Sequence, residues 1–274
     1  MKLSNTFIKQ VLKYNMCPAK FKAYYLDNEF DSTPSMAMFR GIYFEYELLG
    51  NLPRSGETPV YPLGKRGKHE IHKSRIDKQI ADFPAIMEKE GITVLGGVEN
   101  IEWRYNKVLT LTLTLDSMVM YKDRLYVGDI KLSQDMESSF GAVAWGDYER
   151  MDKLQAHLYS YVMSQVLDEP VGFIYMVFDY KKDKGGYKIF EEWPDKTDTE
   201  AMFERIVKAE RKMHWMKATA YKPLGSVENC KSCKVADCHA RITEKKIEAP
   251  VKPKVFGRTV SVDLEKLLDF MTHD

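Results

Sequence analysis

The sequence predicts a single domain of mixed class, α+β or α/β. Three observations predict it. Stretches of helical period alternate with stretches of period two, in the order helices, three strands, helix, strand pair, helix. The 274 residues are 44% hydrophobic, enough for a sizeable core. No internal repeat is visible, which excludes solenoids and propellers.

The first helix begins where Ser4 or Asn5 can act as a cap, and Phe7, Ile8, Val11 and Leu12 share one face. Cys17-Pro18 interrupts it, and proline suits the first turn of a second short helix over 19–26. Residues 36–49 repeat the helical period through Met38, Ile42, Glu45 and Leu49, so an acid sits on an otherwise apolar stripe. Glycines and prolines mark 50–67 as a loop, and the basic stretch that follows reads as helix to Glu90. Three antiparallel strands then follow at 98–105, 108–121 and 124–132. Helical period returns over 151–167, with Leu154, Leu158, Tyr161 and Val162 on its core face and Gln155 and Tyr159 beside it. A buried strand at 171–180 turns at Gly185-Gly186 into a return strand at 187–193. Thr197 and Glu200 fit a capping box ahead of a long helix to about Ala220, and 262–271 forms a short amphipathic helix.

Charge says little globally: 41 basic and 40 acidic residues leave a net +1. Two local patches, 61–80 and 241–258, each hold six Lys/Arg against two acids. No run of eighteen apolar residues occurs and the first residues lack a signal-peptide core, so a cytosolic protein with no membrane contact is expected.

Chemistry concentrates in 115–132. If Lys122-Asp123 is a two-residue hairpin turn, residues whose numbers sum to 245 face each other, as Asp116 and Asp129 do. Lys131, two residues on, shares the face of Asp129. Two carboxylates so close repel each other unless a proton or a cation lies between them, so the patch asks for a divalent metal. A second constellation is Cys17 with Cys230, Cys233 and Cys238, whose Cys-x2-Cys-x4-Cys run has metal-ligand spacing. Four thiolates suit zinc or a four-iron four-sulfur cluster. His69-Glu70-Ile71-His72 lacks the pair spacing of a zinc protease and joins the basic patch, His157 reads as a satisfied helix residue, and His239 could substitute as a ligand.

Asp116, Gly128-Asp129-Ile130-Lys131 and Gln155-x-x-x-Tyr159 resemble the PD-(D/E)XK nuclease superfamily, in particular its RecB-like branch with the phage recombination exonucleases. Arg40-Gly41-Ile42-Tyr43-Phe44-Glu45 is similar to the first motif of that branch, with Glu45 standing where the family has a histidine. The resemblance runs from Asn5 to His239. It implies a restriction-endonuclease-like core in 1–249, a tail at 250–274, and a metal-dependent deoxyribonuclease, most simply an exonuclease acting on DNA ends in recombination or repair. The implied catalytic set is Asp116, Asp129, Lys131, Gln155 and Tyr159. The implied ligands of Mg²⁺ or Mn²⁺ are Glu45, Asp116, Asp129 and the backbone carbonyl of Ile130. The cysteine quartet is similar to that of the iron–sulfur members, the AddB-type and CRISPR-adaptation nucleases, and favours a 4Fe-4S cluster over Zn²⁺. DNA is the implied partner, and a recombination protein could dock on the tail. A phage-encoded chain would work in the bacterial host cytoplasm. The reading of another class is a catalytically silent DNA-binding or scaffold subunit.

Overall fold

In a computed structural model, the structure describes residues 2–13, 17–27, 35–53, 56–61, 63, 72–96, 99–107, 109–138, 145–180, 186–225, 230, 233–235 and 238. The tail at 250–274, its helix at 262–271, the basic patch 241–258, His239 and His69 lie outside the described residues, as does much of the loop at 50–67.

Five strands form the central sheet, in the order β2 (Ile92–Gly96), β5 (Ser117–Tyr121), β6 (Arg124–Ser133), β7 (Gly172–Asp179) and β8 (Gly186–Glu192). It is mixed, because β6 and β7 are parallel while the other neighbours are antiparallel. A smaller mixed sheet joins β1 (Lys2–Ser4), β4 (Thr110–Leu115) and β3 (Glu99–Arg104). The α/β expectation therefore holds.

The β6–β7 crossover needs a helix, and α5 (Leu154–Leu167) supplies it. On one face of the central sheet, α5, α1 (Asn5–Leu12), α6 (Lys196–Ala218) and the small sheet enclose a core around Leu113, Leu115, Val127, Leu158, Val177 and Ile206. On the other, α3 (Met36–Leu49) and α4 (His72–Glu90) bury Phe44, Ile76 and Phe83 against Val119, Ile130 and Phe178. Strand β7, buried along its whole length, is shared by both cores, and this explains its unbroken apolar run.

Local chemistry sets the element ends. Ser4 Oγ accepts from the Phe7 N–H and so caps α1. Pro18 opens α2 (Pro18–Phe21), which continues as one π-helical turn, Lys22–Leu26. Helix α3 has the expected bounds and stops at Gly50, whose left-handed φ of 71° bends the chain back.

Three expectations change. The run 108–121 is not one strand: it bends at Asp116 and passes from the small sheet into the central one. Strands β1 and β2 are additional pairings. The capping box of α6 is Asp195 with Asp198 rather than Thr197 with Glu200, since aspartate caps as well as threonine and fits the same spacing. Among the described residues no helix is long and apolar enough to cross a membrane.

Candidate active site

The β5–β6 hairpin turns at Lys122 and Asp123, both with positive φ (51° and 56°), as a two-residue primed turn requires. Its pairs, from Tyr121–Arg124 to Ser117–Gly128, follow the predicted sum of 245. Pairing stops at Ser117, so the next pair in register, Asp116 and Asp129, falls where the chain has left the ladder. In a two-residue hairpin the pair flanking the turn is hydrogen-bonded, and alternation makes Val119–Tyr126 and Ser117–Gly128 hydrogen-bonded as well. Ile130 is next in that phase, so its carbonyl belongs to the edge that β5 has vacated. A sheet edge is opened beside the acids.

Asp129 is almost wholly buried, yet both oxygens have neighbours: Gln155 Nε2 donates to Oδ1 at 2.9 Å, and Lys131 Nζ lies 2.6 Å from Oδ2 in an ion-pair contact. The same ammonium lies 3.8 Å from Asp116 Oδ2, an atom that is itself buried and accepts no hydrogen bond among the described residues. Burial, then the charge of Asp129, pushes the Asp116 carboxyl up to about 8 against the opposing pull of Lys131. Burial likewise raises Glu45, with Lys131 and Asn51 lowering it in part and Asp129 adding to the rise. For Lys131 burial works against the charge, but Asp129, Asp116 and Glu45 outweigh it and hold the ammonium above its ordinary value. Glu45, Asp116, Asp129 and Lys131 thus act on one another electrostatically.

Tyr159 stands one step behind. Its hydroxyl bonds the backbone of Thr114, just ahead of the Asp116 bend, and burial pushes it up to about 12. Gln155 touches an acid; Tyr159 steadies the strand that presents one. Arg40 points elsewhere, donating to Tyr180 Oη at 2.9 Å.

Asn51 was missed. Its side-chain amide donates to the Asp116 carbonyl at 2.9 Å and reaches Glu45 Oε1 at 3.5 Å, tying the end of α3 to the strand bend. Its position just after the α3-terminating glycine is the only signal the sequence offers, and that reads as an ordinary turn.

A buried carboxylate oxygen without a donor, in a carboxyl raised by burial and by the charge of Asp129, is one that a hard divalent cation would stabilise. The cation's charge would replace the proton on Asp116.

Cys17, Cys230, Cys233 and Cys238 line one small pocket with Leu224 and Val235. The Leu224 N–H donates to Cys17 Sγ at 3.2 Å. Cys17 precedes Pro18 at the start of α2, and the other thiols follow α6. Four cysteines lining one pocket are the donor set of an iron–sulfur cluster or of zinc.

No family model and no curated protein matches the chain. Among solved structures, it is similar to a candidate exonuclease from Eubacterium rectale, with a TM-score of 0.60 at 17% identity over 90% of this chain and 91% of that one. At that identity the likeness shows the fold. A second structure, of SSO0001, covers 88% of this chain and 87% of its own at 13% identity, with a TM-score of only 0.38.

Proposed function

We propose that the chain is a metal-dependent nuclease that hydrolyses DNA phosphodiesters, acting as an exonuclease on DNA ends in recombination or repair. One observation carries this reading. Glu45, Asp116 and Asp129 converge with Lys131 where β5 leaves β6, and Asp116 Oδ2 is left buried without a donor. The fold shared with the candidate exonuclease from Eubacterium rectale supports it.

Glu45, Asp116, Asp129 and the Ile130 carbonyl would hold Mg²⁺ or Mn²⁺. The cation supplies Lewis-acid activation of water and of the phosphoryl oxygen. Lys131, 2.6 Å from Asp129, would orient the attacking water and offset charge building on the phosphate in the transition state. Gln155 fixes Asp129 by occupying one oxygen, leaving the other toward Lys131. Asn51 sets the spacing of Glu45 and Asp116. The cysteine pocket would hold a 4Fe-4S cluster, or Zn²⁺.

Incubating the purified protein with end-labelled linear DNA and Mg²⁺ or Mn²⁺ tests the reading. Release of mononucleotides that stops in EDTA, and in folded Asp129→Ala and Lys131→Ala proteins, is expected. Binding without cutting would instead identify the scaffold subunit. Equal digestion of circular DNA would make it an endonuclease.

A further inference from the structure

A second group of ligand atoms lies on the far side of α5. His157 on α5, Glu192 at the end of β8 and Asp198 in the first turn of α6 bring one ligand atom each to within 4.8 Å of one another. His157 Nε2 is 3.5 Å from Glu192 Oε1 and 3.9 Å from Asp198 Oδ1. Around a tetrahedral zinc ion, ligands at about 2.0–2.2 Å stand roughly 3.3–3.5 Å from each other. The first distance already fits, and the second needs a contraction of about half an ångström.

The other oxygen of each carboxylate is occupied by the fold. Glu192 Oε2 accepts from Tyr148 Oη at 2.8 Å and from Lys153 at 3.1 Å. Asp198 Oδ2 accepts from the Asp195 N–H at 3.2 Å in the capping box. Each acid is therefore aimed at His157 by the partner of its second oxygen, the arrangement that orients metal ligands in built sites. Burial acts against the charge of Glu192, but His157, Tyr148 and Lys153 outweigh it and hold the carboxyl down at about 2. The cations nearby are engaged: Lys153 with Glu149 and Glu192, and Arg205 in a bidentate pair with Asp152 at 2.6 and 3.1 Å. His157 and Asp198 face an open pocket with Lys153, Met202 and Arg205, where water can complete the coordination.

We propose that His157, Glu192 and Asp198 form a site for a borderline divalent cation of the Zn²⁺ type, separate from the acid centre and from the cysteine pocket. One imidazole and two carboxylates suit zinc better than the hard cations favoured by oxygen ligands alone. The ion staples α5, which carries Gln155 and Tyr159, to β8 and α6. The site does not depend on the nuclease reading.

Calorimetric titration of the full-length protein with Zn²⁺ tests it, with millimolar Mg²⁺ present and the cysteine site already filled. One further equivalent is expected in the wild type and in Asp129→Ala, and its affinity should fall at least about tenfold in both His157→Gln and Glu192→Gln. With Co²⁺ the same equivalent should show weak visible bands without sulfur-to-cobalt charge transfer, which distinguishes it from the thiols. Thermal melts without metal confirm that each variant folds, and either folded variant suffices. Absence of the extra equivalent in the wild type, or its unchanged affinity in a folded variant, would overturn the proposal.

Discussion

The acid centre and the cysteine pocket are both candidate inorganic sites, yet they are built in opposite ways. The acid centre is made inside the central sheet by one strand leaving its neighbour, and its donors are hard oxygens on α3, β6 and the β4–β5 bend. The cysteine pocket lies outside the sheet, where soft donors gather from the start of α2 and from the chain beyond α6. A site inside a sheet inherits its geometry from strand register and can be tuned for chemistry. A site between remote segments contributes mainly by holding them together.

The sharpest way to break the contrast is to remove one member from each. Asp129→Ala should lower cleavage roughly a thousandfold or more while leaving the melting temperature within a few degrees. Cys17→Ser should do the reverse, releasing the bound metal and lowering the melting midpoint by more than about 10 °C while activity at low temperature survives. Calorimetry and a turnover assay on both proteins check it, and a cysteine variant that is stable but inactive would erase the distinction.

Next in size is Asn51→Ala. It strips the amide from the Asp116 carbonyl and from Glu45, and should cost about 1–3 kcal/mol of stability. Cleavage should recover partly at higher Mg²⁺, because the acids are misplaced rather than removed. A Mg²⁺ titration of the rate reads this out.

A pH dependence follows from the Asp116 carboxyl, raised from 3.8 to about 8. Between those values the metal-free folded state holds a proton that the unfolded state has lost, so stability falls as pH rises through the window and levels off above about 8. Asp116→Asn should flatten that part of the curve in urea melts. In the wild type, cation affinity should climb over the same range with release of a proton.

The last test is Gly128→Ala. A Cβ there would lie 2.5 Å from Ser117 Oγ and 2.9 Å from Val119 Cγ1, a crowding worth about 1–3 kcal/mol that should push the hairpin apart beside the acid pair. Loss of stability with unchanged Mg²⁺ affinity would show that the acid centre does not lean on this contact.

The hairpin was legible because two-residue turns fix register, although its ladder ends at Ser117–Gly128, one pair short of Asp116 and Asp129. The break at Asp116 was hidden for the same reason. Leu109, Leu111, Leu113 and Leu115 are buried, and Ser117 and Val119 continue the same odd-numbered rhythm. The buried face nevertheless passes from the core around Leu115 to the core around Val119, and period two does not record which core a residue enters. Strand β1 has only three residues and draws its stability from β4, so its local sequence carries little signal. Glu45 was visible as an acid on an apolar helical stripe. Asn51 was not, since its role exists only once α3 has been folded against the bend.

The contacts between chain regions remote in sequence also set the order of assembly. The Leu224 N–H to Cys17 Sγ bond joins residues 207 apart, and the Lys234 N–H to Tyr24 Oη bond joins residues 210 apart. At a ribosomal pace of about 5–20 residues per second, Cys17 waits roughly 10–40 s for the segment that completes its pocket. During that interval α1 and α2 lack α6 and the later cysteines, and their apolar faces are open to chaperones or to wrong partners. A slow codon stretch near the end of the message would lengthen this vulnerable period more than one placed near its start.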